Sequence, residues 1–472
     1  MAGFHIENFG CRAARADGEA IANGLRSRGL TEKALDEVDL VIVNSCSVTA
    51  EADRDARAFV RKARRINPEV KVVVTGCYAQ RAPEEAASIA GVDAVVGNSH
   101  KAFAAQIAFD LVSSAKQQQV PLLPASALVA ANPQTIWVDD GFAHSWIEEA
   151  QILPGFGPGA QTRPNLKIQE GCSNRCTFCI IPTTRGNSRS MGAEKVLEQV
   201  RGFVVADGKE MVLSGINLGR WGRDLPENRS FASLVREILE TTKLSRLRLS
   251  SIEPMDWTAE LIALMREFAH ESFSETSPRL ARHAHLPLQS GSDAVLRRMH
   301  RRYRPWHYAQ KVAELSEAAG DELGLGADVM VGFPGETHAE FQESHDFIAA
   351  LPFSYLHIFR FSPRPGTRGW ELHRQSPVPA QAVQERLAVL RALIREKSHR
   401  FRTSFVGKVL PAVTLNANEN ADASDGTSGI ADNFLPLRID QVLPPNRILP
   451  VLVRGIGSHG ELLCEPAMKA FV

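Results

Sequence analysis

No stretch of this 472-residue chain approaches the ~18 consecutive apolar residues that a membrane-crossing helix needs, so no membrane span is expected. The opening residues Met1–Glu7 lack a basic segment leading into an apolar run, so no secretory signal is expected and the cytoplasm is the expected location. An excess of one charge sign is also missing. Lys and Arg number 54 against 54 Asp and Glu, so net charge gives no sign of a nucleic-acid binder. Cysteine is scarce. Seven in a chain of this length, without a secretory leader, argue against a disulfide framework. What remains is an ordinary globular composition, 44% hydrophobic and 23% charged, with material for about two to four domains.

The few cysteines are not scattered. Three occupy the run Gly171-Cys172-Ser173-Asn174-Arg175-Cys176-Thr177-Phe178-Cys179. Thiolates at C-x3-C-x2-C spacing can hold three corners of a 4Fe-4S cube, a cluster that ordinarily takes four cysteines. No fourth cysteine or histidine lies in the loop, which leaves one iron open to bind and cleave a ligand. A structural zinc site requires four closed N/S ligands, and the nearest upstream histidine is the distant His144.

Three more cysteines share a different pattern. Residues 1–112 alternate strands and helices. Strands are expected around Phe4–Asn8, Val38–Asn44 and Val70–Thr75, with helices near 17–28, 51–66 and 83–90. Cys11, Cys46 and Cys77 each follow one of these strands after a small residue, Gly10, Ser45 or Gly76. The carboxyl edge of an open parallel sheet is where such folds place ligands. One such cysteine would read as core packing; three in equivalent places favour a second cluster held by three thiolates.

Residues 113–163 are broken by Pro and Gly and read as a linker. Residues 164–375, within an expected domain of 164–403, return to strand–helix alternation, with strands expected at 166–169, 211–214, 244–250, 283–288, 327–332 and 355–361. Six βα units make a partial TIM-type (βα)6 barrel, with functional loops at the strand carboxyl ends. A basic amphipathic helix at 380–402 leads into 404–472, whose apolar–polar alternation fits a small β-barrel. Within it, 416–432 reads as a flexible polar hairpin loop and Cys464 as a packing residue. The expected fold class is therefore α/β: an N-terminal open parallel sheet, a central partial barrel and a C-terminal β-barrel.

The two cysteine sets, with Leu249–Pro254, His285–Asp293, Arg298–Tyr303 and Asp328–Glu336, make the chain resemble the radical S-adenosylmethionine (SAM) methylthiotransferases over nearly its whole length. Ser-Ile-Glu-Pro at 251–254 makes it similar to the branch acting on N6-threonylcarbamoyladenosine in tRNA. The alternatives are the branch acting on isopentenyladenosine in tRNA and the branch acting on an aspartate of a small-subunit ribosomal protein. A non-catalytic iron–sulfur electron carrier is a further alternative, which the barrel motifs disfavour.

The resemblance implies two 4Fe-4S clusters, one on Cys172, Cys176 and Cys179 and an auxiliary one on Cys11, Cys46 and Cys77. It implies SAM as cofactor, with Phe178 near its adenine and Asn217, Ser250, Glu253 and Gln289 at its polar groups. It further implies radical abstraction of hydrogen from C2 of the adenine and delivery of a methylthio group there. The 404–472 barrel would be a TRAM-like RNA-binding domain. The expected partners are a tRNA anticodon stem-loop and a low-potential electron donor of the flavodoxin or ferredoxin kind, with the enzyme a monomer. One departure stands out: Ala14 replaces the asparagine the family carries three residues after its first cysteine, so a polar contact there is lost or supplied from elsewhere.

Three local basic segments fit a polyanionic partner. Segment 54–65 has six basic residues, 297–304 has five arginines, and Arg386–Lys408 has seven Lys/Arg against Glu396 alone. Each by itself reads as a solvated helix face.

Overall fold

The computed structural model describes residues 2–47, 49–114, 131–132, 136–142, 147, 161–270, 277–416 and 426–467. The chain divides into two compact units. One is Met1–Gln151 with Gln169–Arg175 and Cys179–Arg189; the other is Ile152–Ile168, Cys176–Phe178 and Ser190–Val472.

The first unit is built on β1 (Gly3–Asn8), β2 (Thr31–Glu32), β3 (Leu40–Ser45), β4 (Lys71–Gly76), β5 (Ala94–Gly97), β6 (Ala131–Asn132) and β7 (Ile136–Trp137). They form one sheet in the order β2-β1-β3-β4-β5-β7-β6, parallel except for the β6–β7 pair. The period-2 pattern, with both faces buried, explains why β3 is apolar from Leu40 to Val43. Leu40 and Ile42 pack with Phe4, Val73 and Val96 against helices Arg12–Arg26 and Ala104–Ser114. Val41 and Val43 face the other way, packing with Val72, Val74 and Val95 against helix Ala50–Ile66. Each fully buried aliphatic side chain contributes about 1.5–3 kcal/mol, so both faces drive the sheet.

The expected strands stand within a few residues of where they were read. The first helix differs, beginning at Arg12 with Cys11 as its N-cap instead of at Asp17. Strand β5 was not anticipated, because four residues are too short for a period to register. Residues 113–163, read as a linker, contribute β6 and β7 to the sheet, and most of the remainder lies outside the described residues.

The six anticipated strands of the partial barrel are β8 (Asn165–Glu170), β10 (Glu210–Gly215), β11 (Arg246–Leu249), β12 (His283–His285), β13 (Gly324–Val331) and β14 (Tyr355–Arg360); β9 (Arg189–Ser190) is a short addition. They lie in two sheets, β11-β10-β8-β9 and β12-β13-β14. Bridges at Leu247–Leu280 and Ser251–His285 join β11 to the β12 side. Intervening helices start at side-chain caps: Ser230 accepts from Ser233 N, Thr258 from Leu261 N, and Thr337 forms a capping box with Glu340.

The C-terminal barrel is closed, in the order β15 (Val409–Thr414), β16 (Thr427–Ala431), β17 (Pro436–Ile439), β19 (Leu462–Pro466), β18 (Ile448–Ile456). Strand β16 corrects the reading of 416–432 as a flexible loop: 427–431 pair with β15 on one side and β17 on the other. Residues 417–425 of that stretch lie outside the described residues. Cys464 packs in the barrel core, and burial pushes its thiol up to about 12.

A buried carboxylate ties this barrel to the βα strands. Glu210 accepts from Arg163 Nε (2.7 Å), Arg248 Nε (2.8 Å) and Arg246 Nη1 (3.1 Å). Arg248 then donates to the carbonyls of Asp432 (2.8 Å) and Ala431 (3.0 Å), at the end of β16. Burial alone would push the Glu210 carboxyl up; the three guanidiniums hold it well below the usual range.

Candidate active site

Register brings the first cysteine set to one edge. Asn8 pairs with Asn44, Asn44 with Thr75, and Ser45 with Gly76, so Cys11, Cys46 and Cys77 leave the carboxyl ends of three adjacent strands. Cys46 and Cys77 are buried and Cys11 is exposed. The two glycines leave no room for a side chain. Gly76 has φ +92°, and a Cβ there would lie 2.3 Å from the Ser45 carbonyl oxygen. Gly10, at φ +145°, would place a Cβ 2.9 Å from Cys46 Cβ. Beside Ala14, Asn44 Nδ2 donates to the Ala14 carbonyl (2.5 Å) and to Asn8 Oδ1 (2.9 Å), so polar bonding at this edge comes from the strand-end asparagines.

Sequence reasoning missed the charged groups behind this edge. Arg185 Nε donates to Cys77 Sγ at 3.2 Å, and Asn98 Nδ2 lies 3.4 Å from the same sulfur. Arg185 Nη1 reaches Glu170 Oε1 (2.6 Å) and Asp17 Oδ2 (3.0 Å). Lys101 Nζ bonds Glu170 and lies 3.3 Å from Asp17 Oδ1. All four charged residues are buried. Three thiols, a strand edge that admits no side chain at Gly10 and Gly76, and buried cationic donors suit an anionic iron–sulfur cluster.

The second set lies in the loop after β8. Cys172 N donates to the Gly186 carbonyl (3.0 Å), and Asn174 N lies 3.4 Å from Cys172 Sγ. In the other unit, Thr177 is held on both sides: its N donates to Met299 O (3.2 Å), its Oγ1 to Arg298 O (3.0 Å), and Gly369 N donates to its carbonyl (2.6 Å). Cys176 Sγ accepts from Arg301 Nη1 at 3.3 Å, while Arg301 Nη2 bonds Glu253 and Nε reaches Tyr303 Oη at 3.2 Å.

The residues read as SAM contacts fare differently. Ser250 stands directly after β11, with Asn217 beyond β10 and Gln289 beyond β12; all three are buried. Ser250 Oγ and Gln289 Oε1 have no hydrogen-bond partner among the described residues, as expected of groups awaiting a polar ligand. Gln289 is held at φ +64°, its N donating to Asp328 O (2.8 Å) and its carbonyl accepting from Met330 N (2.9 Å). Glu253 is engaged by Arg301. Phe178 packs against the cluster of Val295, Met299, Met330, Phe333 and Phe361. His285, Asp328 and His357 add a polar group on β12–β14, their ligand atoms within 4.8 Å of one another.

The basic segments need correction as phosphate contacts. Arg301 and Arg386 are buried, Arg301 on Glu253 and Cys176, Arg386 on Glu336 at 2.6 Å. Arg298 is paired with Glu340, and Arg297 and Arg304 with Asp293. Arg54, Arg61, Lys62, Arg65, Arg302, Arg391, Arg395 and Arg400 are exposed.

Comparison with known proteins fits this geometry. The model of "Uncharacterized protein family UPF0004" matches residues 3–97, and that of the "Radical SAM superfamily" matches residues 166–348. The threonylcarbamoyladenosine tRNA methylthiotransferase MtaB of Bacillus subtilis (strain 168) is 33% identical over 437 residues, covering 92% of this chain and 90% of that protein. The chain belongs to the radical SAM methylthiotransferases. A second relative, the tRNA-2-methylthio-N(6)-dimethylallyladenosine synthase of Syntrophotalea carbinolica, is 28% identical over 93% of this chain and 97% of its own length. Among solved structures, the radical S-adenosylmethionine methyltransferase TsrM of Kitasatospora setae aligns with a TM-score of 0.56 at 14% identity, covering 79% of this chain and 78% of that one. That likeness concerns the fold alone. In this methylthiotransferase the two family models each enclose one cysteine set, Cys11, Cys46 and Cys77 in the first and Cys172, Cys176 and Cys179 in the second.

Proposed function

We propose that this methylthiotransferase transfers a methylthio group to C2 of N6-threonylcarbamoyladenosine, at the position 3′ to the anticodon in tRNA. The observation that carries the chemistry is the presence of two three-thiol sets, one in a strand-end loop of the βα barrel and one on a parallel-sheet edge. For the substrate, four relatives named for threonylcarbamoyladenosine are 32–34% identical, against 28–30% for four named for dimethylallyladenosine.

In this reading Cys172, Cys176 and Cys179 hold the cluster that binds SAM, and Cys11, Cys46 and Cys77 hold the auxiliary cluster. Once bound, these groups supply a low-potential electron, a carbon radical from SAM and the transferred sulfur. The chain's own part is placement. Thr177, pinned by Met299, Arg298 and Gly369, fixes the loop between Cys176 and Cys179. Arg301 neutralises Cys176 and is itself oriented by Glu253, so Glu253 acts through Arg301. Ser250 and Gln289 offer buried polar atoms to the polar end of SAM, with Asn217 near the end of β10. Phe178 serves the adenine side from its apolar cluster.

We take residues 1–112, 164–403 and 404–472 as auxiliary-cluster, radical SAM and TRAM-like RNA-binding domains, joined by 113–163. An anticodon loop suits such an enzyme because its bases can be splayed out and read at an edge. The exposed arginines and Lys62 are the candidates for phosphate contact. The electron donor would be of the flavodoxin or ferredoxin kind, and the enzyme a cytoplasmic monomer. Among the described residues no helix is long and apolar enough to cross a membrane.

The test is nucleoside analysis of tRNA from a strain lacking the gene. The expected result is loss of the 2-methylthio form with accumulation of N6-threonylcarbamoyladenosine, reversed by the wild-type gene. An unchanged nucleoside, with loss of the methylthio isopentenyl form or of a ribosomal-protein modification, would transfer the proposal to those substrates.

A further inference from the structure

Arg185 is fully buried and its fork is divided. Nε is spent on Cys77 Sγ and Nη1 on Glu170 and Asp17, while Nη2 is buried with no hydrogen-bond partner among the described residues. A guanidinium arm left without an acceptor inside a protein is costly, so its presence on a side chain already bonded to the Cys77 sulfur points to a missing acceptor. The place of Arg185 is not set by local sequence: Asp17 is 168 residues away. Lys101 completes a set of two cations and two carboxylates, which keeps the buried charge balanced while the guanidinium is turned toward sulfur.

We propose that Arg185 is a positioning residue for the auxiliary sulfur site, donating to the Cys77 thiolate and to a sulfur of the group held by Cys11, Cys46 and Cys77, and so raising that group's reduction potential. This rests on the reading of those cysteines as cluster ligands. Hydrogen bonds and positive charge at the sulfurs withdraw electron density from the irons and make reduction easier. Asn98, the second donor to Cys77, acts in the same direction. Asp17, Glu170 and Lys101 orient the guanidinium.

The experiment uses the full chain with Cys172, Cys176 and Cys179 changed to Ala, reconstituted anaerobically with iron and sulfide. Iron content is measured, and the midpoint potential is read by EPR-monitored redox titration. Two further substitutions are compared in that background. R185K keeps the charge but loses the fork. R185Q with E170Q removes one cation and one anion together, which preserves the charge balance. The expected result is that both variants retain iron and titrate at a more negative potential. In the double variant the oxidised-to-reduced ratio at the parent's midpoint should rise at least tenfold, about 59 mV for a one-electron couple. Retained iron with an unmoved potential in both variants would overturn the role given to Arg185. Loss of iron from both would overturn it too, making Arg185 scaffolding. A parent protein that takes up no cluster would instead refute the reading of Cys11, Cys46 and Cys77.

Discussion

Cys77 owes its place to the glycine before it. With φ +92° and the Ser45 carbonyl 2.3 Å from where a Cβ would stand, Gly76 is the point at which β4 turns so that the thiol meets Arg185 and Asn98. An alanine there must adopt a left-handed backbone and displace a neighbouring strand's carbonyl. Together these should cost about 2–5 kcal/mol. G76A should therefore lower the denaturant midpoint and reduce iron uptake by the first cysteine set. Wild-type unfolding and full iron in G76A would show that the edge tolerates a side chain. Ala14 shows the complementary case, where the substituted residue has its carbonyl bonded by Asn44 and the edge stays polar without a side-chain amide at 14.

At the scale of elements, one join between the βα strands and the C-terminal barrel runs through Arg248, which Glu210 holds in place. Glu210 is buried under Arg163, Arg246 and Arg248, and its removal leaves those guanidiniums without their anion. E210Q should cost about 3–5 kcal/mol at neutral pH, measured by denaturant unfolding against wild type. Because the Glu210 carboxyl is held below its ordinary value in the folded protein, its ionised form stabilises the fold above the unfolded pKa of about 4.3. That contribution is lost as pH falls from there toward the depressed folded value. The gap between wild type and E210Q should thus be constant from pH 8 to about 5 and narrow only below about 4.3. A gap that closes already near neutrality would contradict the assignment of the carboxylate as the anchor.

The elements were legible in sequence to different degrees, for physical reasons. β3 and β4 were readable because strands buried on both faces must be apolar at successive positions, and the six barrel strands because each is followed by a helical period. Two-residue strands such as β2, β6 and β7 leave no period to read. β16 was hidden because its flanks are polar and acidic, and only pairing on both sides makes 427–431 a strand.

For the whole molecule, the cysteines were legible and their partners were not. Cys172, Cys176 and Cys179 are declared by spacing, and Cys11, Cys46 and Cys77 by a repeated place after a strand. Asp17, Lys101, Glu170 and Arg185 give no such signal, since a charged residue's burial is decided by partners far along the chain. The same reason removed Arg301 and Arg386 from the basic surface, as each found an acid inside the fold. In the proposed reading the two cysteine sets divide the work of one enzyme, Cys172, Cys176 and Cys179 for activating carbon and Cys11, Cys46 and Cys77 for supplying sulfur. That division of labour is tested most directly by C77A, assayed anaerobically with SAM, reductant and an anticodon stem-loop carrying N6-threonylcarbamoyladenosine. 5′-Deoxyadenosine and the 2-methylthio nucleoside are measured in the same reaction. The account predicts that C77A still forms 5′-deoxyadenosine but no methylthio product; methylthio product at the wild-type level from C77A would contradict it.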